Sequence, residues 1–157
     1  MNKIQASNPF FEIYSTPHGT VPFNLIKTEH YAPAIHEGIR RQNGEIDAII
    51  NNPDAPTFEN TIVPYEKSGE LLHRVNTVFG NLLSAETDDE LQELAREIMP
   101  LMSEHENNIS LNEKLFARIK TVYELADKAK LTPEQSKLLE DIYTGFVRNG
   151  ANLQGDA

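Results

Sequence analysis

From about residue 28 onward, apolar residues recur at helical spacing. Ile35, Ile39, Gln42, Ile46 and Ile49 follow a 4-3-4-3 rhythm that lays them along one stripe, predicting a first helix from Thr28 to about Asn51. Pro33 falls in its first turns, where a missing amide costs little. Asn51-Asn52-Pro53-Asp54-Ala55-Pro56 then breaks the chain. A second helix is expected after Thr57, with Phe58, Ile62, Tyr65, Leu72, Val75, Phe79 and Leu82 as its stripe and Leu71 and Val78 beside it. Pro64 lies inside that pattern and predicts either a kink or a start near Thr61.

Thr87-Asp88-Asp89-Glu90 reads as a capping box opening a third helix, with Leu91, Leu94, Ile98 and Leu101 inward and a bend at Pro100. Asn112 can cap a fourth helix carrying Leu115, Ile119, Val122 and Ala126. Thr132-Pro133-Glu134-Gln135 combines an N-cap, a proline at the first helical position and a Gln that closes a capping box. The fifth helix then holds Leu138, Leu139, Ile142, Tyr143 and Phe146, and Gly150 ends it. No segment alternates with period two for long enough to suggest a strand. The expected fold is all-α: an antiparallel bundle of about five helices over 28–157. Before it, residues 1–27 carry three prolines among Phe10, Phe11, Tyr14 and Phe23, which predicts an irregular arm anchored to the body by its aromatics.

Composition narrows the functional classes. The 157 residues suit one soluble domain, and no stretch approaches the roughly 18 uninterrupted apolar residues of a membrane helix. Fourteen basic against 24 acidic residues give a net charge of −10, which opposes nucleic-acid and anionic-membrane partners. There is no cysteine, so disulfide and thiolate chemistry are excluded. No secretory signal is visible at the N-terminus, which favours the cytoplasm, with the periplasm open to a chain whose leader was removed.

Two segments approach a zinc-peptidase motif, which needs two His one helical turn apart and a Glu beside the first. His36-Glu37 has Arg40 where the second ligand belongs, and His105-Glu106 has Ile109. Neither residue can coordinate a cation. His18, His30 and His73 have no partner at ligand spacing and suit surface or capping roles. Glu86, Asp88, Asp89 and Glu90 fit a helix start better than a metal site, because negative charges there are stabilised by the positive end of the helix dipole. Glu104 and Glu106 read as a solvated face, and Asn108-Ile109-Ser110 as an accidental glycosylation pattern on a helix. No catalytic, cofactor-binding or metal-ligating residue is assigned.

The ordered string of segments is more telling than any motif. Asn8-Pro9-Phe10 and Thr16-Pro17-His18-Gly19-Thr20-Val21-Pro22-Phe23 are followed by His30-Tyr31-Ala32-Pro33-Ala34. Then come Glu45 to Ile49, Asn52-Pro53, and Pro56-Thr57-Phe58-Glu59-Asn60-Thr61-Ile62, the most specific run, with Ser68-Gly69 after it. Leu111-Asn112, Leu115-Phe116 and Phe146 to Leu153 continue the series. Together they resemble, in order and over almost the whole chain, the N-terminal region of the peptidyl-dipeptidase and oligopeptidase branch of the thimet-oligopeptidase family of zinc metallopeptidases.

That resemblance implies an all-helical enzyme several times longer, which binds one zinc through an H-E-x-x-H helix and a downstream Glu. The motif Glu would activate water while zinc polarises the scissile carbonyl of a short oligopeptide. This chain is expected to form one wall of the substrate channel and to end before the zinc motif. Its partners would be the remainder of the same polypeptide and, in the whole enzyme, oligopeptide substrates. Weak self-association is expected from apolar residues flanking the stripes: Leu71, Val78, Met99, Met102, Leu139 and Tyr143. The alternative is a self-contained helical interaction module, distinguished by whether the gene continues into an H-E-x-x-H helix.

Overall fold

The computed structural model describes residues 8–85, 88–127 and 130–151. Among them every regular element is helical: α1 (Tyr31–Ile50), α2 (Val63–Lys67), α3 (Glu70–Ala85), α4 (Asp89–Ser110), α5 (Glu113–Leu125) and α6 (Pro133–Arg148). Short turns of 3-10 helix punctuate the arm at Pro9–Phe11, Pro17–Gly19 and Phe23–Leu25, and another at Thr28–His30 leads into α1. The contacts divide into two compact units. One comprises the chain up to Gln42 together with Gly69–Ser103; the other comprises Asn43–Ser68 together with the chain from Glu104 onward.

The first unit is built on Phe10, Tyr31, Ala34, Ile35, Leu71, Leu72, Val75, Val78, Phe79, Leu91, Ala95 and Ile98, all buried. Tyr31 is its hinge-pin, with Phe10 and Phe79 each tilted against its ring at 5.2 Å between centroids. Gly38 lets α1 and α3 approach closely, since a Cβ there would lie 3.0 Å from the Cα of Leu72. Phe10 anchors the arm, and Phe11 packs against the same core. Phe23 does not: it is 54% exposed, which corrects the expectation that every aromatic of the arm is an anchor.

The second unit gathers Ile46, Ile49, Phe58, Ile62, Leu115, Phe116, Ile119, Val122, Leu139 and Phe146. Its aromatics form a connected series: Tyr65 meets Phe146 at 5.6 Å, Phe146 stacks on Phe116 at 5.9 Å, and Tyr143 stacks on Tyr123 at 3.9 Å.

The helix expected after Thr57 is three elements. Phe58–Ile62 is a π-helical turn, α2 follows with Pro64 in its first turn, and the chain breaks at Ser68–Gly69 before α3. The break is written in the backbone: Ser68 is extended and Gly69 has φ +74°, a left-handed conformation that glycine adopts without strain. The proposed stripe is therefore divided, with Phe58 and Ile62 in one core and Leu72, Val75 and Phe79 in the other.

The caps follow the sequence closely. Asn112 accepts from the amide of Leu115, and Thr132 and Gln135 form a reciprocal box. At Gly150 (φ +92°) the amides of Gly150 and Ala151 return to the carbonyls of Val147 and Phe146, a Schellman closure. α4 continues through Pro100. Its start differs from expectation: Thr87 lies outside the described residues, and Asp88 accepts from the amide of Leu91 at 2.8 Å.

Candidate functional site

The two zinc-like segments can be judged by what their side chains do. On α1, Glu37 is engaged by neighbours rather than available as a base. Arg40 grips it through Nε and Nη2 at 2.7 and 2.8 Å, and Arg41 donates to it at 2.8 Å. These hydrogen bonds hold its carboxyl down at about 2. Arg41 also lies over the ring of Phe11 at 5.8 Å, so the cluster fastens α1 to the arm. His36 is exposed. On α4, His105 is buried, and burial pushes its pKa down. Ile109, one turn on, offers no ligand atom. Among the described residues no group of three or more His, Asp or Glu could hold a metal ion. Neither of the two segments supplies the second ligand of a two-histidine zinc motif.

The remaining candidates have the following surroundings where they are described. His30 accepts from the Lys27 amide at 3.0 Å, while His18 and His73 are exposed. Asp88 caps α4, with Asp89 and Glu90 exposed in its first turn; Glu86 lies outside the described residues. Asn108 and Ser110 sit in the last turn of α4.

The segments that carry the resemblance are also the ones that build the fold. In Asn8-Pro9-Phe10, the Asn8 side chain accepts from the amide of Phe10 and donates to the carbonyl of His30 at 2.8 Å. Arg74 of α3 donates to the carbonyl of Phe10 at 2.6 Å and lies over the ring of Tyr14 at 5.2 Å. In Pro56 to Ile62, Asn60 receives the Thr57 amide, while the Asn60 amide donates to Thr57. The Asn60 side chain also donates to the carbonyl of Ala55 at 2.9 Å. Arg118 of α5 ties the preceding loop down, donating to the carbonyls of Asn52 at 2.9 Å and Asp54 at 3.3 Å. Sequence reasoning missed Arg74 and Arg118. Each is a single cation on the flank of an apolar stripe, and nothing in its helical spacing reveals that it turns inward.

No family model matches the chain. Individual proteins do. A dipeptidyl carboxypeptidase of Escherichia coli is 41% identical over 146 residues, 93% of this chain, and one of Salmonella typhimurium is 39% identical over 94%. An oligopeptidase A of Haemophilus influenzae is 28% identical, also over 94%. The chain spans only about a fifth of the length of these relatives, 21% of the first.

Proposed function

We propose, from the premise that this chain is a homologue of the bacterial dipeptidyl carboxypeptidases and, more distantly, of oligopeptidase A, that it is the N-terminal helical region of a zinc metallopeptidase acting on short oligopeptides. The observation that carries this reading is the 41% identity, which runs over 93% of the chain. A scaffold role is supported by what the segments that carry the resemblance do: they cap, pin and fill the two helical units.

In this reading the chain contributes scaffold, forming part of the wall of a peptide channel. Metal ligands and the water-activating carboxylate come from elsewhere in the enzyme. No helix among the described residues is long and apolar enough to cross a membrane. The cytoplasmic placement we propose rests on the resemblance alone, with the periplasm as its alternative. Weak self-association of this chain rests on a narrower basis than its sequence suggested. Leu71, Val78 and Leu139 are covered by the chain's own cores, and of the flanking residues Met99 stands out, 57% exposed. Sedimentation at low and high salt should show association that grows as salt screens the −10 charge. A strict monomer throughout would favour the self-contained module.

The decisive test pairs a sequence with an assay. The gene read past Ala157 should encode an H-E-x-x-H helix, and the whole product should release dipeptides from an unblocked peptide in a chelator-sensitive manner. The 157-residue chain alone should neither turn over that peptide nor retain stoichiometric zinc after dialysis. Turnover by this chain alone would overturn the scaffold assignment.

A further inference from the structure

Where the arm meets α1 and α3, three polar atoms are shielded from solvent and have no hydrogen-bond partner in the chain: Tyr14 Oη, Tyr31 Oη and Arg74 Nε. They share one neighbourhood. The Arg74 guanidinium lies over the Tyr14 ring at 5.2 Å and donates through Nη2 to the carbonyl of Phe10, whose ring packs on Tyr31 at 5.2 Å. The electrostatics agree with that proximity. Burial raises the Tyr14 phenol, and the charge of Arg74 offsets part of the rise. Tyr31 is pushed up to about 12, chiefly by burial and secondarily by Tyr14.

Both phenols are therefore neutral hydroxyls at ordinary pH, each able to donate and accept, while Arg74 Nε–H can only donate. Buried polar groups in folded proteins are nearly always paired with protein or with ordered water. An internal water makes about three hydrogen bonds. Two hydroxyls and one N–H are the complement it needs: it accepts from Arg74 Nε–H and one phenol, and donates to the other. We propose that Tyr14, Tyr31 and Arg74 form a binding site for a single internal water that joins the N-terminal arm to α1 and α3. An anion suits the site less well. The Arg74 charge is already turned toward the Phe10 carbonyl and the Tyr14 ring, and the chain's net charge of −10 opposes anion uptake.

The sign of one substitution tests this. Tyr31→Phe removes a single oxygen and keeps the ring between Phe10 and Phe79. If Tyr31 binds the water, the variant loses a hydrogen bond and leaves the other two groups poorly served, so its unfolding constant should rise about fivefold or more. If the hydroxyl is simply unpaired, deleting it relieves a desolvation penalty and the variant becomes more stable, which overturns the proposal. Tyr14→Phe should act in the same direction, and the double variant should cost less than the sum, because both lose the same water. Strictly additive costs would count against a shared water. A high-resolution crystal structure of the chain should place a water within about 3.2 Å of all three atoms. An anomalous peak there after a bromide soak would replace the water with an anion and overturn the assignment.

Discussion

Two glycines of the same helix should respond oppositely to the same substitution. Gly38 and Gly44 both lie inside α1, where glycine is less favourable than alanine by about 0.5–1 kcal/mol. At Gly44 no atom beyond its own stretch of helix backbone lies within 4 Å of the position an added Cβ would take, so Gly44→Ala should collect that gain and stabilise the chain by about that amount. At Gly38 the same methyl would sit 3.0 Å from Cα and Cβ of Leu72 and 3.1 Å from its N. These atoms belong to the α3 backbone and its root, so no side-chain rotation relieves the contact. Relief requires α1 and α3 to separate, and the neighbouring Ile35 and Val75 are fully buried, leaving no slack to absorb the shift. Overpacking of this kind costs about 1–3 kcal/mol, which exceeds the propensity gain. Gly38→Ala should therefore be destabilised by about 1 kcal/mol, and by no more than about 2.5 kcal/mol. Urea unfolding followed by circular dichroism should give a lower midpoint for Gly38→Ala and a higher one for Gly44→Ala, at similar slope. If the two variants shift together in the upward direction, the close crossing of α1 and α3 is wrong.

Phe79→Ala should cost about 3–5 kcal/mol, since a buried ring packed on Tyr31 is lost and a cavity remains; a loss below about 1 kcal/mol would place that stripe at the surface. Glu37 has a folded-state pKa depressed from 4.5 to about 2, so its contribution is present above pH 4.5 and disappears as pH falls toward 2. Its partners' side chains are 71% and 48% exposed, so solvent screening reduces that contribution to about 1 kcal/mol. Stability of the native chain should exceed that of Glu37→Gln at pH 7 and converge with it near pH 2; a gap that persists at pH 2 would show that charge is not the cause. Asn60→Ala removes one half of a capping box and a donor to Ala55, and thermal unfolding should register a loss of about 1–2 kcal/mol. An unchanged melting temperature would mean the loop before α2 is held by Arg118 alone.

The absence of a recognisable metal site in the sequence rested on what stands at Arg40 and Ile109, and no fold can turn a guanidinium or an alkyl chain into a ligand. The side chains then did more than was legible: Glu37 became the centre of an arginine clamp, and His105 was buried.

Signals confined to three or four residues were readable in advance. The Asn112 cap, the Thr132–Gln135 box and the stop at Gly150 depend on amides within one helical turn of the residue that serves them, so residue type and spacing were enough. The helical period likewise named Ile35, Val75, Phe79, Ile98 and Ile119 as buried, because a stripe of that width has to be covered. Tertiary structure decided where the order of elements matters more than their period. The spacing from Phe58 to Leu82 is continuous, yet the left-handed turn at Gly69 sends its two halves into different cores. Phe10 is buried and Phe23 is exposed, although both are aromatics of one arm. Arg74 finds its acceptor 64 residues away and Arg118 finds one 66 residues away. A partner at that distance is chosen by packing, which brings an unpaired carbonyl beside a guanidinium. Local sequence carries no trace of that meeting.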